Sequence, residues 1–465
     1  MNMINVRRLT VMTFLGASML SGISAQVSPL QVDTLKETKI PDQWDLQSCI
    51  DYAKEQNITI RKNRITAAST QIDVKTAKAA MFPSLSFSTG QQVVNRPYQE
   101  TSSRVSGNEI ISSNSKTSYN GNYGLNASWT LYNGNKRLKT IQQEKLNNQM
   151  AELDVATSEN NIQESIAQVY IQILYAAESV KVNENTLQVS IAQRDRGQEL
   201  LNAGSIAKSD LAQLEAQVST DRYQLVTAQA TLEDYKLQLK QLLELDGENE
   251  MNIYLPTLSD ENVLAPLPTK RDVYISALSL RPEIEASKLN VEASELGINI
   301  AKSSYFPTIS LSAGIGTNHT SGSDFTFGEQ VKNGWNNSIG LSVSVPIFNN
   351  RQTKSAVQKA KLQYETSMLS LLDEQKALYK TIESLWLDAN SAQQRYAAAN
   401  EKLKSTQISY ELISEQFNLG MKNTVELLTE KNNLLQAQQE QLQAKYMAIL
   451  NTQLLKFYQG DQLAL

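Results

Sequence analysis

One cysteine and one histidine in 465 residues exclude several chemistries at once. Cys49 has no second cysteine with which to close a disulfide, and His319 has no companions for a histidine-rich metal site or a catalytic triad. No metal and no cofactor is expected. Long apolar runs are missing too: past residue 25 nothing approaches the roughly 20 consecutive apolar residues that a membrane helix needs. If the chain spans a bilayer, it does so as a β-barrel, the other structure that satisfies every backbone group in lipid. Basic charge is in deficit, with 43 Lys and Arg against 48 Asp and Glu. Nothing in that balance suggests a nucleic-acid partner.

What is present begins with a secretory signal over residues 1–25: Arg7 and Arg8, an apolar stretch from Leu9 to Leu20, and small residues ending at Ser24-Ala25. The mature chain then starts near Gln26, and losing two arginines leaves 41 basic against 48 acidic groups. Residues 26–45 read as an N-terminal linker. Leu46-Gln47-Ser48-Cys49 resembles a lipoprotein cleavage box, but it lies far behind the apolar stretch and inside an amphipathic segment.

The remainder is a repeat. Met81-Phe82-Pro83-Ser84-Leu85-Ser86 returns as Tyr305-Phe306-Pro307-Thr308-Ile309-Ser310, and Ala53 to Ile60 falls on Ala277 to Ile284, both at an offset of 224. Gly124-Leu125 returns as Gly340-Leu341 and Gly204 as Gly420, at an offset of 216. A longer hairpin loop in the first repeat absorbs the difference. Each repeat opens with a helical segment, 46–80 or 272–303, that stops at a Phe-Pro pair because proline disfavours helix in the residue before it. Pro282 marks a restart within the second. Strands follow. Tyr119, Tyr123, Leu125, Ala127, Trp129 and Leu131 alternate with Asn120, Asn122, Gly124, Asn126, Ser128 and Thr130, and Trp335, Ile339, Leu341, Val343 and Val345 alternate in the same way. Each repeat therefore offers one β-hairpin, in a barrel or in a half-buried soluble sheet.

From Asn135 to Ala203 and from Gln352 to Leu419 there is no proline, and at about 1.5 Å per residue each arm reaches about 100 Å. Leu378, Ile382, Leu385, Ala389, Ala392, Tyr396, Ala399, Leu403, Thr406, Tyr410, Ile413 and Phe417 step by fours and threes, the spacing of a coiled-coil seam. Ile162 to Val180, Leu211 to Leu242 (through Asp221), and Leu428, Leu435, Leu442 and Ile449 keep it. The return arms cover only about 60 Å of the arms they pack against. The short opening helices have the missing length, so 46–80 is expected end to end with 205–245, and 272–303 with 421–457.

This order of elements resembles the TolC-like outer-membrane efflux family over essentially the whole mature chain. The resemblance is carried by Arg281-Pro282-Glu283-Ile284, by the two Phe-Pro junctions, and by the turns Asn202-Ala203-Gly204 to Leu211 and Asn418-Leu419-Gly420 to Leu427. It implies a mainly α protein with a membrane β-barrel, a homotrimer with a 12-stranded barrel and a 12-helix periplasmic tunnel. It also implies a passive conduit opened by a periplasmic adaptor and an inner-membrane pump, for efflux or type I secretion, with outer-membrane lipid around the barrel. The expected organisation is a first repeat over 46–245, an equatorial belt or plain linker over 246–270, a second repeat over 271–457 and a tail over 458–465.

The same resemblance implies an acidic tip, and the corresponding positions are Asp210 and Glu426, with Lys422 as a basic gate-linking residue and Phe417 as an aromatic one. An acid in the first turn of a helix also serves the helix dipole, which leaves a purely local role open. Gly204 and Gly420 are expected to make the tip turns. Tyr123, Trp129 and Trp335 are expected at the membrane interface or in core packing. No clustered nucleophile or acid–base pair points to an enzyme. The rival class is a non-transporting periplasmic coiled-coil or adhesion protein, which has no need of two doubled hairpins.

Overall fold

The computed structural model describes residues 41–98, 102–106, 109–113, 116–246, 251–256, 263–321, 323 and 325–464. The expected signal and nearly all of the expected linker lie outside the described residues. In the unit from Gln43 onward, the first repeat comprises α1 (Leu46–Gln56), α2 (Ile58–Ala79), β1 (Ser84–Asn95), β2 (Ser102–Ser106), β3 (Glu109–Ser113), β4 (Thr117–Asn133), α3 (Lys136–Asn202) and α4 (Lys208–Leu242). The second comprises α5 (Lys270–Leu280), α6 (Pro282–Lys302), β5 (Thr308–Thr320), α7 (Phe327–Asn333), β6 (Asn336–Ser344), α8 (Gln352–Asn418) and α9 (Thr424–Gln459).

Two boundaries differ from the sequence reading. The segment 46–80 is not one helix: it breaks at Asn57, whose side chain accepts from the Thr59 and Ile60 backbone N–H groups and caps α2. Asn57 stands where Arg281 stands in the second repeat, before Pro282. Without a proline, the first break left no signal as plain as the second. The last helix also runs on to Gln459, so the expected tail begins inside it: Tyr458 is helical and buried, and Leu463 returns to the core. The extra length of the first hairpin holds the β2–β3 ribbon, where the second repeat holds α7.

The helices form four columns side by side. Against α3 pack α4 and α2 on one flank and α9 and α6 on the other, and α9 and α6 in turn pack against α8. The expected stacking is present: Asn57 Nδ2 donates to the Leu242 carbonyl at 3.0 Å and the Ile58 N–H to Glu244 Oε1 at 3.2 Å, seating α2 on the end of α4. The strand order is β1-β4-β5-β6. It repeats the column order, because α2 leads into β1, β4 into α3, α6 towards β5 and β6 towards α8. Both strand-to-helix corners turn through consecutive left-handed residues, Gly134-Asn135 and Asn350-Arg351.

The main core lies at mid-height, where Trp44, Ile50, Ile166, Tyr170, Ile173, Leu239 and Leu243 are all buried. Each such side chain contributes about 1.5–3 kcal/mol by leaving water. Trp44 therefore belongs to the fold rather than to a linker. It bridges in parallel to Ile253, and the Tyr170 hydroxyl donates to the Tyr254 carbonyl at 2.6 Å. Nearby, Gln393 Nε2 donates to the Val263 and Ala265 carbonyls and Trp386 Nε1 to that of Pro268, so the described parts of 246–270 cling to the helices. The seam of α8 is buried at Leu378, Ile382, Ala389, Ala392, Tyr396, Ala399 and Phe417, as its spacing requires. On α9 the most buried stripe is Thr424, Leu427, Lys431, Leu434 and Ala437, one residue ahead of the expected Leu428 and Leu435. That helix touches both α8 and α3, so its buried face is wider than one seam.

Apolar residues stay exposed along the two outer columns. On α2 these are Ile58, Ile65 and Ile72, seven apart; on α4, Tyr223, Val226 and Leu237; on α8, Leu362, Leu369 and Leu372. Heptad spacing on an uncovered face is the mark of a helix that lacks its partner.

Candidate functional site

The sheet has two chemically distinct faces, held in register across all four strands. On one, Phe87 is opposite Leu125 and Leu125 opposite Ile315; Trp129 is opposite Leu311 and Leu311 opposite Leu341. On the other, Ser84, Ser128, Ser312 and Gly340 form one row and Ser86, Asn126, Gly314 and Ser338 the next. None of these four strands carries Lys, Arg, Asp or Glu. β1 and β6 each leave one edge unpaired within the chain.

Trp129 and Trp335 lie near opposite ends of the sheet, whereas Tyr123 sits within β4, opposite Thr89 and Thr317. Trp129 is at the helical end, with Nε1 donating to the Met81 carbonyl at 2.8 Å. Tyr123 stacks on His319 with centroids 6.0 Å apart, and Trp335 stands exposed at the head of β6. Sequence reading missed what surrounds His319: Tyr119 lies at 5.8 Å and Phe327 of α7 meets its ring edge-on at 5.1 Å. The period-two spacing of Tyr119, Tyr123 and the strand end held half of that signal; α7 held the rest.

At the far end of the helices, Gly204 and Gly420 have φ of +72° and +74° and close the tip turns. Ser205 N–H donates to the Leu200 carbonyl and Met421 N–H to that of Gln416, the six-residue loop of a Schellman end. Asp210 then accepts from the Ala207 N–H at 3.0 Å. Glu426 is bound more fully. Lys422 Nζ donates to its Oε1 at 2.6 Å, Asn423 N–H to its Oε2 at 3.2 Å, and Asn423 Oδ1 accepts from its backbone N–H, completing a capping box. The Lys422 hydrogen bond, and after it that from Asn423, holds the Glu426 carboxyl below its ordinary range. Within one chain both acids thus have local capping partners. Phe417 faces inward, buried against Leu214 and Leu427, where it joins the two tip hairpins.

Two buried ionic clusters escaped the sequence reading. Lys431 of α9 donates to Asp221 of α4 and Ser190 of α3, all three nearly solvent-free, while Gln217 Nε2 donates to the other Asp221 oxygen at 2.9 Å. Asp221 at a seam position was the one visible hint. At mid-height, Arg281 pairs with Glu164 at 2.7 Å and Glu283 at 3.1 Å, its guanidinium 3.9 Å from the Tyr458 ring. Burial pushes the Tyr458 hydroxyl up to about 12. Cys49, also pushed up to about 12 by burial, is a packing residue rather than a nucleophile. Among the described residues no acid, histidine and cysteine cluster suited to a metal occurs, and no helix is long and apolar enough to cross a membrane.

An amphipathic, edge-open sheet set on a wall of long helices defines a class, that of membrane-sheet proteins with a helical extension. The chain belongs to the outer membrane efflux protein family, whose model matches residues 49–244 and 273–460 and so falls on the two repeats. It is 24% identical over 294 residues to the outer membrane efflux protein BepC of Brucella suis biovar 1 (strain 1330), covering 63% of this chain and 61% of BepC. It is likewise 24% identical over 296 residues to the outer membrane protein TolC of Escherichia coli (strain K12), covering 61% and 58%. The chain thus spans under two thirds of those relatives. A crystal structure of CusC shares the fold, with a TM-score of 0.75 and 19% identity over 90% of this chain and 92% of that one.

Proposed function

We propose that this protein is the outer-membrane channel of a tripartite export system, a passive conduit assembled from three copies and opened by a periplasmic adaptor and an inner-membrane pump. The carrying observation is the four-stranded sheet with one apolar face, one Ser/Asn/Gly face and two free edges. In lipid an open edge is not tolerated, so β1 of one copy joins β6 of the next until the sheet closes. Three copies give twelve strands and twelve helical columns. The exposed heptad stripes on α2, α4 and α8 support the same closure, since they lie on the columns beneath β1 and β6.

Trp129 and Tyr119 lie ten residues apart on β4, about 34 Å of strand, or about 25 Å once tilted as in a closed barrel. That matches the apolar band of outer-membrane barrels. The polar face then lines the pore, and the described parts of 246–270 belong to a belt around the helices. At the tip, Asp210 and Glu426 each become a ring of three acids, with Lys422 as the internal counter-charge. A non-transporting coiled-coil protein is the weaker reading, because it gives the sheet no task. Light scattering on the detergent-extracted mature protein should give a trimer that conducts in planar bilayers. A monomer soluble without detergent would sink the proposal.

A further inference from the structure

Directly below the sheet the charge of the chain reverses. α3 opens on Lys136, Arg137 and Lys139 and continues to Lys145, while α8 is preceded by Arg351 and carries Lys354, Lys359 and Lys361. α2 closes with Lys75 and Lys78, and α6 with Lys302. Against these, the stretch of the four helices level with them holds five acids, Asp73, Glu144, Glu292, Glu295 and Glu365, in a chain whose formal charge is −5. Lys78 and Lys302 suit the dipole of the helix ends they close, but helix stability does not explain the cations that open α3 and α8. Neither α3 nor α8 has an acid in its first turn, and basic residues there oppose the helix dipole. Arg137 spends its donors on the Ala80 and Thr130 carbonyls and Lys139 reaches that of Asn299. The other cations are exposed, and no ion pair among the described residues engages any of them.

Just above them is a rim of exposed apolar groups, Phe82, Tyr305, Phe306, Ile347 and Phe348. Leu138 and Lys145 are seven apart on one exposed face of α3, the apolar residue nearer the sheet. Lys354 and Lys361, also seven apart, share a face of α8 about 100° round from the buried Thr353 and Ser367. Apolar and aromatic groups followed within a few turns by unpaired lysines is the order in which a bilayer presents its hydrocarbon edge and its headgroups.

We propose that this basic collar binds the anionic phospholipid headgroups of the periplasmic leaflet and fixes the depth at which the channel sits. The inference rests on the barrel reading above. Charge complementarity selects the occupant. A juxtamembrane lysine attracts anionic lipid at short range, and the attraction fades within a Debye length of about 10 Å.

The test reconstitutes the mature protein in vesicles of phosphatidylcholine alone or mixed equally with phosphatidylglycerol, and reads tryptophan quenching by spin-labelled lipid of either kind. The protein should prefer the phosphatidylglycerol probe by about fivefold or more, less so as salt rises. Lys75→Gln/Lys78→Gln/Lys354→Gln/Lys361→Gln should abolish the preference, whereas Lys181→Gln/Lys236→Gln/Lys402→Gln/Lys404→Gln should keep it. Lys354→Gln/Lys361→Gln alone should reduce it, which covers the case of a quadruple variant that does not assemble. No preference in the parent, or equal loss in both quadruple variants, would overturn the collar. So would a collar variant that keeps its lipid preference but changes anion permeability, since the lysines would then serve the pore. Failure to insert at all would sink the barrel reading and the collar together; normal conductance without lipid preference would sink the collar alone.

Discussion

Lys431 and Asp221 allow the sharpest test of how the two hairpins are joined. Both are almost solvent-free, and they tie α9 to α4 and, through Ser190, to α3. Removing one member of a buried pair typically costs about 3–5 kcal/mol, because the survivor is left as an uncompensated charge, whereas replacing both with apolar groups is often neutral or better. Lys431→Met leaves Asp221 with Ser190 and Gln217 as donors, so the cost should fall near the lower end, about 3 kcal/mol. Asp221→Leu strands the lysine. Burial already lowers the Lys431 pKa against its hydrogen bond and charge attraction to Asp221, so the stranded amine has an escape by shedding its proton. The double variant should recover most of the loss, so that with about 3 kcal/mol lost in each single variant the coupling in the cycle should be about 5 kcal/mol. Hydrogen exchange of the backbone amides in 424–440 reads this locally. Each single variant should speed exchange about 150-fold, the equivalent of about 3 kcal/mol. Single variants that change exchange less than about fivefold, or a double variant as fast as the product of the singles, would show that the cluster carries no coupling.

Gly420→Ala should cost about 1–2 kcal/mol from its positive φ alone, since a Cβ there meets nothing, and Gly420→Asn should cost less. Gly134→Ala should cost more, because its Cβ would also lie 2.6 Å from the Ser303 carbonyl oxygen and 2.8 Å from Phe306 Cβ; thermal dissociation of the assembly ranks the three. Glu426 has a lowered folded pKa, so the order it gives the second tip is present above the ordinary glutamate value and lost as pH falls through the lowered one. Exchange at Thr424 to Leu427 should rise only in acid, and Glu426→Gln should remove that pH dependence. Glu426→Gln with Asp210→Asn should also weaken block by multivalent cations added from the periplasmic side; unchanged block in normal trimers would reduce both acids to helix caps. With no charge on its four strands, the open barrel should discriminate poorly among solutes, and single-channel recordings showing narrow selectivity located there would contradict the pore-lining assignment.

Much of this was legible in the sequence because it is periodic. Strand alternation, the seam of α8, the break before Pro282 and the doubling of the repeat all follow from spacing alone. The break at Asn57 was not, since an asparagine cap is one weak signal among many polar residues. Nor was the burial of Lys431, because a lysine in a Gln- and Lys-rich return helix reads as solvated until a third helix covers it. Asp210 and Glu426 were legible as positions but not as chemistry: their capping bonds are local, whereas any ring they form depends on copies that one chain does not contain. The collar stayed hidden for another reason. Its lysines are spread over four separate segments, and only the order of columns and strands brings them to one level.

The alternation of the strands also bears on the chain's journey. In extended form no strand offers more than every second side chain to an apolar surface, and after residue 25 there is no continuous apolar stretch for a bilayer to seize. A lipid-loving surface comes into being only when β1, β4, β5 and β6 align their odd-numbered rows. The unfolded polypeptide can therefore be threaded through the inner membrane without lodging there, and its affinity for a bilayer is switched on by the act of pairing.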